Sequence, residues 1–121
     1  MGKETVKRFG DVIREARRKM RPPMSLRKFA DRVGMAPAYL SKVEVNLDRP
    51  PAAEKVEKMA EILGLDKFEL LRLANRMPTE LGEAFQKDAR APEFMRVAMG
   101  SGLTPAQLQE LIDRSRAKKP K

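Results

Sequence analysis

The segment LRKFADRVGMAPAYLSKVE, from Leu26 to Glu44, decides which fold this sequence predicts. Its first half carries apolar residues at the i, i+3, i+4, i+7 spacing that buries one face of a helix, namely Leu26, Phe29, Ala30 and Val33. Gly34 follows at once, and glycine adopts the left-handed conformation that ends a helix at little cost. The segment therefore predicts a short amphipathic helix that stops at Gly34.

A second short helix is predicted to begin at Pro37, because proline is favoured in the first turn of a helix, where its missing N–H costs nothing. On this helix Leu40 and Val43 face inward, and Met35 is expected to fill the gap between the two helices. Two helices joined by so short a turn form a helix-turn-helix. Its second helix exposes small and polar side chains, a shape that fits the major groove of DNA. These outward-facing residues are Ala38, Tyr39, Ser41 and Lys42.

The helical spacing of apolar residues continues on both sides of this motif and predicts an all-α protein. One helix is expected before it, over residues 4–20, and two after it, over residues 51–63 and 67–76. Ser25 and Asp66 are predicted N-caps, since their side chains accept hydrogen bonds from the free N–H groups of a first turn. The residues expected to face inward on the last of these helices are Phe68, Leu70, Leu71 and Ala74.

We expect the chain to divide into a helix-turn-helix domain over residues 1–77 and a small C-terminal helical annex over residues 78–121, with a basic flexible tail at its end. Apolar residues recur at helical spacing along the annex, and a chain this short cannot bury all of them on a finished bundle. They could form an intrachain core or a subunit interface, and we expect the shared core of a homodimer. The candidate interface residues are Phe85, Phe94, Met95, Met99, Leu108 and Leu111.

Basic residues outnumber acidic ones and give the chain a formal net charge of +9. Residues 1–25 contain eight Lys and Arg against three acids, whereas residues 51–80 contain five against six. One strongly basic half suits an anionic partner that meets one face of the protein, and nucleic acid is the leading candidate. General solubility is the alternative explanation of the same charge.

The residue types that the sequence lacks exclude several classes of function. There is no Cys and no His, so a disulfide, a zinc site of the usual kind and a Ser-His or Cys-His nucleophile are all excluded. The acids Glu54, Glu57 and Glu61 recur at helical spacing and predict a solvated face rather than a metal site. We expect neither enzyme activity nor a cofactor. Charges throughout the first twenty residues and the lack of a long apolar run predict no secretory signal and no membrane span, which favours the cytoplasm.

Over residues 9–74 the motifs resemble the lambda-repressor-like, Xre-type helix-turn-helix domain. The segments that carry the resemblance are IREAR at 13–17, SLRKFA at 25–30, VGM at 33–35, PAYLSKVE at 37–44, RP at 49–50 and MAEILGL at 59–65. The resemblance implies a five-helix bundle that binds DNA, usually as a dimer on half-sites related by two-fold symmetry.

The resemblance also implies roles for individual residues. Base-reading positions fall on Pro37, Ala38 and Lys42, with Tyr39 and Ser41 beside them. Phosphate contacts fall on Ser25, Arg27, Asn46 and Arg49, and the basic residue Arg21 of the first connecting loop is a further candidate. A buried ion pair between the first and third helices falls on Arg17 and Glu44.

Pro37 and Ala38 depart from the family pattern, because they replace the amide side chains with which phage repressors read adenine. Direct readout would then rest on Lys42 against guanine, on Ala38 against a thymine methyl group and on Tyr39. Val45-Asn46 replaces the Arg-Gly that is common in the family. These departures leave the target sequence open.

The sequence as a whole predicts a sequence-specific DNA-binding transcriptional regulator. We expect a repressor that acts as a homodimer on a palindromic operator. The alternative is an antitoxin, or another autoregulator, whose C-terminal helices bind a second protein.

Overall fold

The computed structural model describes residues 7–101 and 104–117 of the 121-residue chain. Every regular element within these two ranges is an α-helix, which confirms the all-α fold predicted from the sequence. The helices are α1 (Phe9–Lys19), α2 (Leu26–Val33), α3 (Pro37–Glu44), α4 (Ala53–Leu63), α5 (Lys67–Ala74), α6 (Thr79–Lys87), α7 (Ala91–Ser101) and α8 (Pro105–Ala117).

Helices α2 and α3 form the predicted helix-turn-helix, and the residues predicted to begin the two helices and to end α2 do so. Ser25 is the N-cap of α2, and its hydroxyl accepts a hydrogen bond from the Lys28 N–H at 3.1 Å. Gly34 ends α2 with a φ of 87°, in the left-handed region. Pro37 occupies the first turn of α3. Met35, between the two helices, is buried as expected.

One apolar core lies among α1 to α5. Helix α3 packs on α1 and on α2, while α4 packs on α1, α2 and α5. Each large apolar side chain that is fully buried contributes about 1.5–3 kcal/mol to folding. Those most deeply buried are Ile13, Phe29, Leu40, Val43, Val56, Met59, Leu70 and Leu71. Helix α3 is therefore fixed to the core by its inward face, which leaves its other face to solvent.

Phe68 corrects one prediction, because it was expected to face inward and is instead 64% exposed. The inward face of α5 is filled by Leu70, Leu71 and Ala74. At 100° per residue, Phe68 lies roughly 110° around the helix from the centre of that face. The predicted cap at Asp66 is confirmed, since its carboxylate accepts hydrogen bonds from the N–H groups of Phe68 and Glu69 at 2.8 and 3.0 Å.

Two helices begin later than predicted. Helix α1 begins at Phe9 rather than at residue 4, and residues 4–6 lie outside the described part of the chain. Helix α4 begins at Ala53, and Arg76 holds the backbone of the preceding residues, Pro50 and Pro51, in a non-helical segment. Its Nη2 and Nε groups donate to the carbonyl oxygens of Pro50 and Pro51 at 2.8 and 2.9 Å.

The chain forms two compact units, of which the first ends at Gly82 and the second starts at Glu83. In the second unit the rings of Phe85 and Phe94 meet edge to face, with their centroids 5.8 Å apart. Thr104 and Gln107 form a capping box at the start of α8, since each side-chain oxygen accepts the other residue's backbone N–H. The boundary between residues 77 and 78 stays a prediction.

No helix in the described ranges has both the length and the apolar character that a membrane crossing requires.

Candidate nucleic-acid interface

The outward face of α3 carries the base-reading candidates. Leu40 and Val43 point into the core, so the residues between them point away from it. Within the described chain, the side chains on the outward face make no hydrogen bond or ion pair, apart from Tyr39. The exposed candidates are Ala38, Ser41 and Lys42, and Pro37 is half-buried at the helix start.

Tyr39 and Arg49 are brought together by a hydrogen bond. The Tyr39 hydroxyl donates to the Arg49 carbonyl oxygen at 2.9 Å, and its half-buried ring packs against the core. The Arg49 side chain itself is exposed. Tyr39 thus attaches the loop that follows α3 to the first turn of α3. Its predicted base contact stays a prediction, and its hydroxyl already has an intrachain partner.

Three of the phosphate candidates, Arg21, Ser25 and Arg27, lie before and at the start of α2. Arg21 is exposed in the loop between α1 and α2, and Arg27 is exposed in the first turn of α2. Ser25 is exposed beside them, with its hydroxyl engaged in capping. A helix start with free N–H groups and nearby guanidinium groups is chemically suited to a phosphate.

Arg17 and Glu44 form a buried bidentate ion pair between α1 and α3. Arg17 Nε donates to Glu44 Oε2 at 2.8 Å, and Nη2 donates to Oε1 at 2.7 Å. The third contact, from Nη1 to the Met24 carbonyl oxygen at 2.9 Å, holds the loop before α2. The hydrogen bonds to Glu44 raise the pKa of Arg17. One guanidinium thus joins α1, the following loop and α3.

Asn46 makes a second connection between α3 and α1. Its Oδ1 accepts a hydrogen bond from the Gly10 N–H at 3.1 Å, and its Nδ2 donates to Asp11 Oδ1 at 3.1 Å. Its φ of 63° lies in the left-handed region that ends a helix. The side-chain amide of this phosphate candidate is therefore engaged within the chain, and the predicted phosphate contact stays a prediction.

Gly10 and Asp11 were not singled out by sequence reasoning, although the structure places both against the end of α3. A β-carbon at Gly10 would overlap the Val43 carbonyl oxygen and lie 2.8 Å from that of Glu44. The available signal was a glycine inside a predicted helix, which costs roughly 1 kcal/mol and indicates a close approach of backbones. The Arg8 N–H foremost, and also the Asn46 amide, lower the pKa of Asp11.

The glutamates of α4 do not form a common site. Glu54 and Glu61 are exposed. Glu57 is half-buried and accepts hydrogen bonds from the N–H of Thr79 at 2.9 Å and from its hydroxyl at 3.1 Å. In the part of the chain that the structure describes, no three His, Cys, Asp or Glu residues are grouped so as to hold a metal ion.

The interface candidates of the second unit are largely open to solvent. Phe85 is half-buried against Phe94. The Met99 side chain lies outside what the structure describes. The exposed members of the set are Phe94, Met95, Leu108 and Leu111. Where such side chains form one contiguous patch, they are a common mark of an interaction surface.

Comparison with known proteins supports the resemblance drawn from the motifs. A family profile described as helix-turn-helix matches residues 13–70. The HTH-type transcriptional regulator SinR of Bacillus licheniformis is 33% identical over 95 residues, covering 78% of this chain and 82% of the relative. SinR of Bacillus subtilis is 33% identical over 89 residues, covering 74% and 77%. A solved SinR–SinI protein complex is 28% identical, covers 91% of this chain and 96% of that chain, and has a TM-score of 0.46. The chain belongs to the helix-turn-helix family of transcriptional regulators.

Proposed function

We propose that this protein binds double-stranded DNA with α3 in the major groove. The observation that carries the proposal is the outward face of α3, where Ala38, Ser41 and Lys42 are exposed and make no hydrogen bond or ion pair within the described residues, while the same helix is fixed to α1 and α2. A rigid helix with small side chains and one lysine can approach base edges closely. The net charge of +9 favours association with the phosphate backbone.

Lys42 and Ala38 are the residues that we expect to read bases. Both are exposed on α3. A lysine ammonium group donates to the O6 and N7 atoms of guanine, and an alanine methyl group packs against the thymine methyl group. Ser41 lies beside Lys42 and can donate to several bases.

Arg21, Arg27 and Arg49 are the proposed phosphate contacts. All three are exposed, and the Arg49 backbone is held by Tyr39. Contacts of this kind position the protein on the duplex without reading its sequence. They also make binding weaken steeply as salt concentration rises.

We further propose that the protein is a cytoplasmic homodimer that represses transcription by occupying a palindromic operator. The exposed apolar side chains of the second unit support a subunit interface. A two-fold dimer presents two copies of α3 about one turn of DNA apart, and such an arrangement selects a palindrome. The protein acts in this proposal by binding, without catalysis.

The selection of bound sites from random DNA tests this function. We expect enrichment of a palindrome whose half-sites are separated by about 10 base pairs, centre to centre. Enrichment of no sequence at all would overturn sequence-specific binding. An enriched single half-site would retain base reading and overturn the dimeric operator.

A second candidate function is binding of another protein through the C-terminal helices. The same exposed side chains, with Phe94 and Leu111 among them, favour it. Purification from the native source discriminates the two functions. A second protein in stoichiometric amount favours the partner-binding role, and a dimer of this chain alone favours the homodimer.

A further inference from the structure

We propose that Asn46 is a positioning residue, whose side chain sets where the end of α3 sits on the start of α1. The proposal rests on the proposed function, in which α3 reads bases. Through this contact Asn46 determines how Lys42 and Ala38 meet the DNA, without touching a base itself.

The Asn46 side chain uses both of its polar atoms on α1. Its Oδ1 accepts the Gly10 N–H, one of the first-turn donors that a helix leaves without an intrahelical partner. Its Nδ2 donates to Asp11 Oδ1, while Asp11 Oδ2 accepts the Arg8 N–H at 3.1 Å. Asn46 thus caps the start of α1 from a distant part of the sequence.

The backbone of Asn46 closes α3 at the same place. The Asn46 N–H donates to the Val43 carbonyl oxygen at 3.0 Å, and the Leu47 N–H donates to the Lys42 carbonyl oxygen at 2.9 Å. These two bonds form a Schellman motif around a left-handed residue. Because Lys42 belongs to this motif, a shift of Asn46 moves the lysine that we expect to read a base.

Because Gly10 has no side chain, the backbone of α1 can approach the backbone at the end of α3. An added β-carbon at Gly10 would lie 2.7 Å from Asn46 Oδ1 and 2.8 Å from the Glu44 carbonyl oxygen. The start of α1 therefore touches the last turn of α3 directly. Because the two helices touch so closely, a small change in the hydrogen bonds of Asn46 shifts α3 relative to α1.

Two separate attachments of α3 to α1 constrain the angle between the helices more than one attachment does. Glu44 holds Arg17, and Asn46 holds Gly10 and Asp11. Gly10 and Arg17 are about 10 Å apart along α1. The ion pair and the core packing of Leu40 and Val43 hold α3 in place, and the second attachment adds a constraint on its crossing angle with α1.

An exchange of the two side chains tests the proposal. Asn46→Asp keeps an acceptor for the Gly10 N–H but sets a second carboxylate oxygen against Asp11. Asp11→Asn alone sets two amide donors against each other. In the double variant the amide introduced on α1 donates to the carboxylate introduced after α3, and the amide oxygen still accepts the Arg8 N–H. Every hydrogen bond of the arrangement therefore returns, and the net charge is that of the parent.

The measured quantity is the ratio of affinities for the selected site and for random DNA, in the full chain. We expect Asn46→Asp to lower this ratio about tenfold, equal to about 1.4 kcal/mol. We expect the double variant to return to within about twofold of the parent. A purely stabilising role would change the unfolding temperature and leave the ratio unchanged.

Asn75→Asp is the matched control, since Asn75 is also left-handed, with a φ of 59°, and ends α5 rather than α3. It adds the same charge, and we expect the ratio to stay within about twofold of the parent. An unchanged ratio in folded Asn46→Asp, or no recovery in the double variant, would overturn the proposal. A parent protein that selects no sequence would instead overturn the proposed function on which this rests.

Discussion

Arg17 ties α3 to α1 through a buried ion pair. Its guanidinium donates to Glu44 and to the Met24 carbonyl oxygen, and it is only 8% exposed. Glu44, at 2% exposed, is buried too deeply for bulk water to replace this partner. At the residue scale, then, the fold depends on a buried charge that is fully paired.

Removing one partner of the pair should destabilise the domain strongly. Glu44→Ala leaves a buried guanidinium unpaired, and we expect the free energy of unfolding to fall by about 3–5 kcal/mol. Urea denaturation measures the change. The double variant Arg17→Met with Glu44→Leu removes both charges and should lose clearly less. Equal losses in the two variants would contradict the assignment of the effect to an unpaired charge.

Asp11 should make stability depend on acid pH. The Arg8 N–H foremost, with help from Asn46, lowers its pKa in the folded protein. Its contribution is therefore present above the unfolded-state pKa of about 3.9 and is lost as the pH falls through the folded-state pKa. Thermal unfolding of the parent and Asp11→Asn should differ at pH 7 and converge in strong acid. A difference that does not vary with pH would speak against an ionised Asp11 in this role.

At the scale of elements, the predicted caps of α2 and α5 are confirmed because each depends on neighbours in sequence, whereas α1 and α4 begin later than predicted. Ser25, Gly34 and Asp66 act on the turn that they adjoin. Phe68 could not be placed, since its burial was decided by competition for the inner face of α5. The contact of Asn46 with Gly10 joins positions far apart in the chain, and no local pattern encodes it.

The proposed base contact of Lys42 depends on the placement of the whole helix α3. We expect Lys42→Ala to weaken binding to the selected site by about 1–3 kcal/mol. Binding to random DNA should fall only by the loss of one charge. Titrations with both DNAs measure the two effects, and Lys58→Ala, at an exposed position of α4, is the control for charge alone. Equal losses on both DNAs would argue against base reading by Lys42.

At the scale of the whole molecule, the chain carries a bundle with a filled core and a second unit whose helices expose apolar side chains. The amphipathic spacing predicted that the chain beyond the bundle is helical, and the structure places α7 and α8 there. The surface that covers these exposed side chains would belong to another molecule. One sequence cannot specify that partner, so the homodimer remains our proposal.

Removing residues 79–121, which include the whole second unit, should leave a monomer. We expect a chain ending at Pro78 to show about one third of the mass of the full-length dimer by light scattering, because a shortened monomer replaces a dimer of 121-residue chains once the apolar surface proposed as the interface is gone. In the full chain, Phe94→Ser should shift the protein in the same direction. Phe68→Ser alters an equally exposed aromatic of the first unit and should leave the mass unchanged. A dimeric truncated chain would place the interface elsewhere.

The outward face of α3 has a consequence for how such a protein can change its target. Ala38, Ser41 and Lys42 form no hydrogen bond or ion pair in the described chain, and the anchoring of their helix falls to Leu40, Val43, Glu44 and Asn46. In the proposed function, recognition and folding therefore depend on different residues of α3 and of the turn that follows it. New operator preferences can be installed at three surface positions without repacking the interior, and a redesign that transplants α3 must carry Gly10 and Arg17 with it.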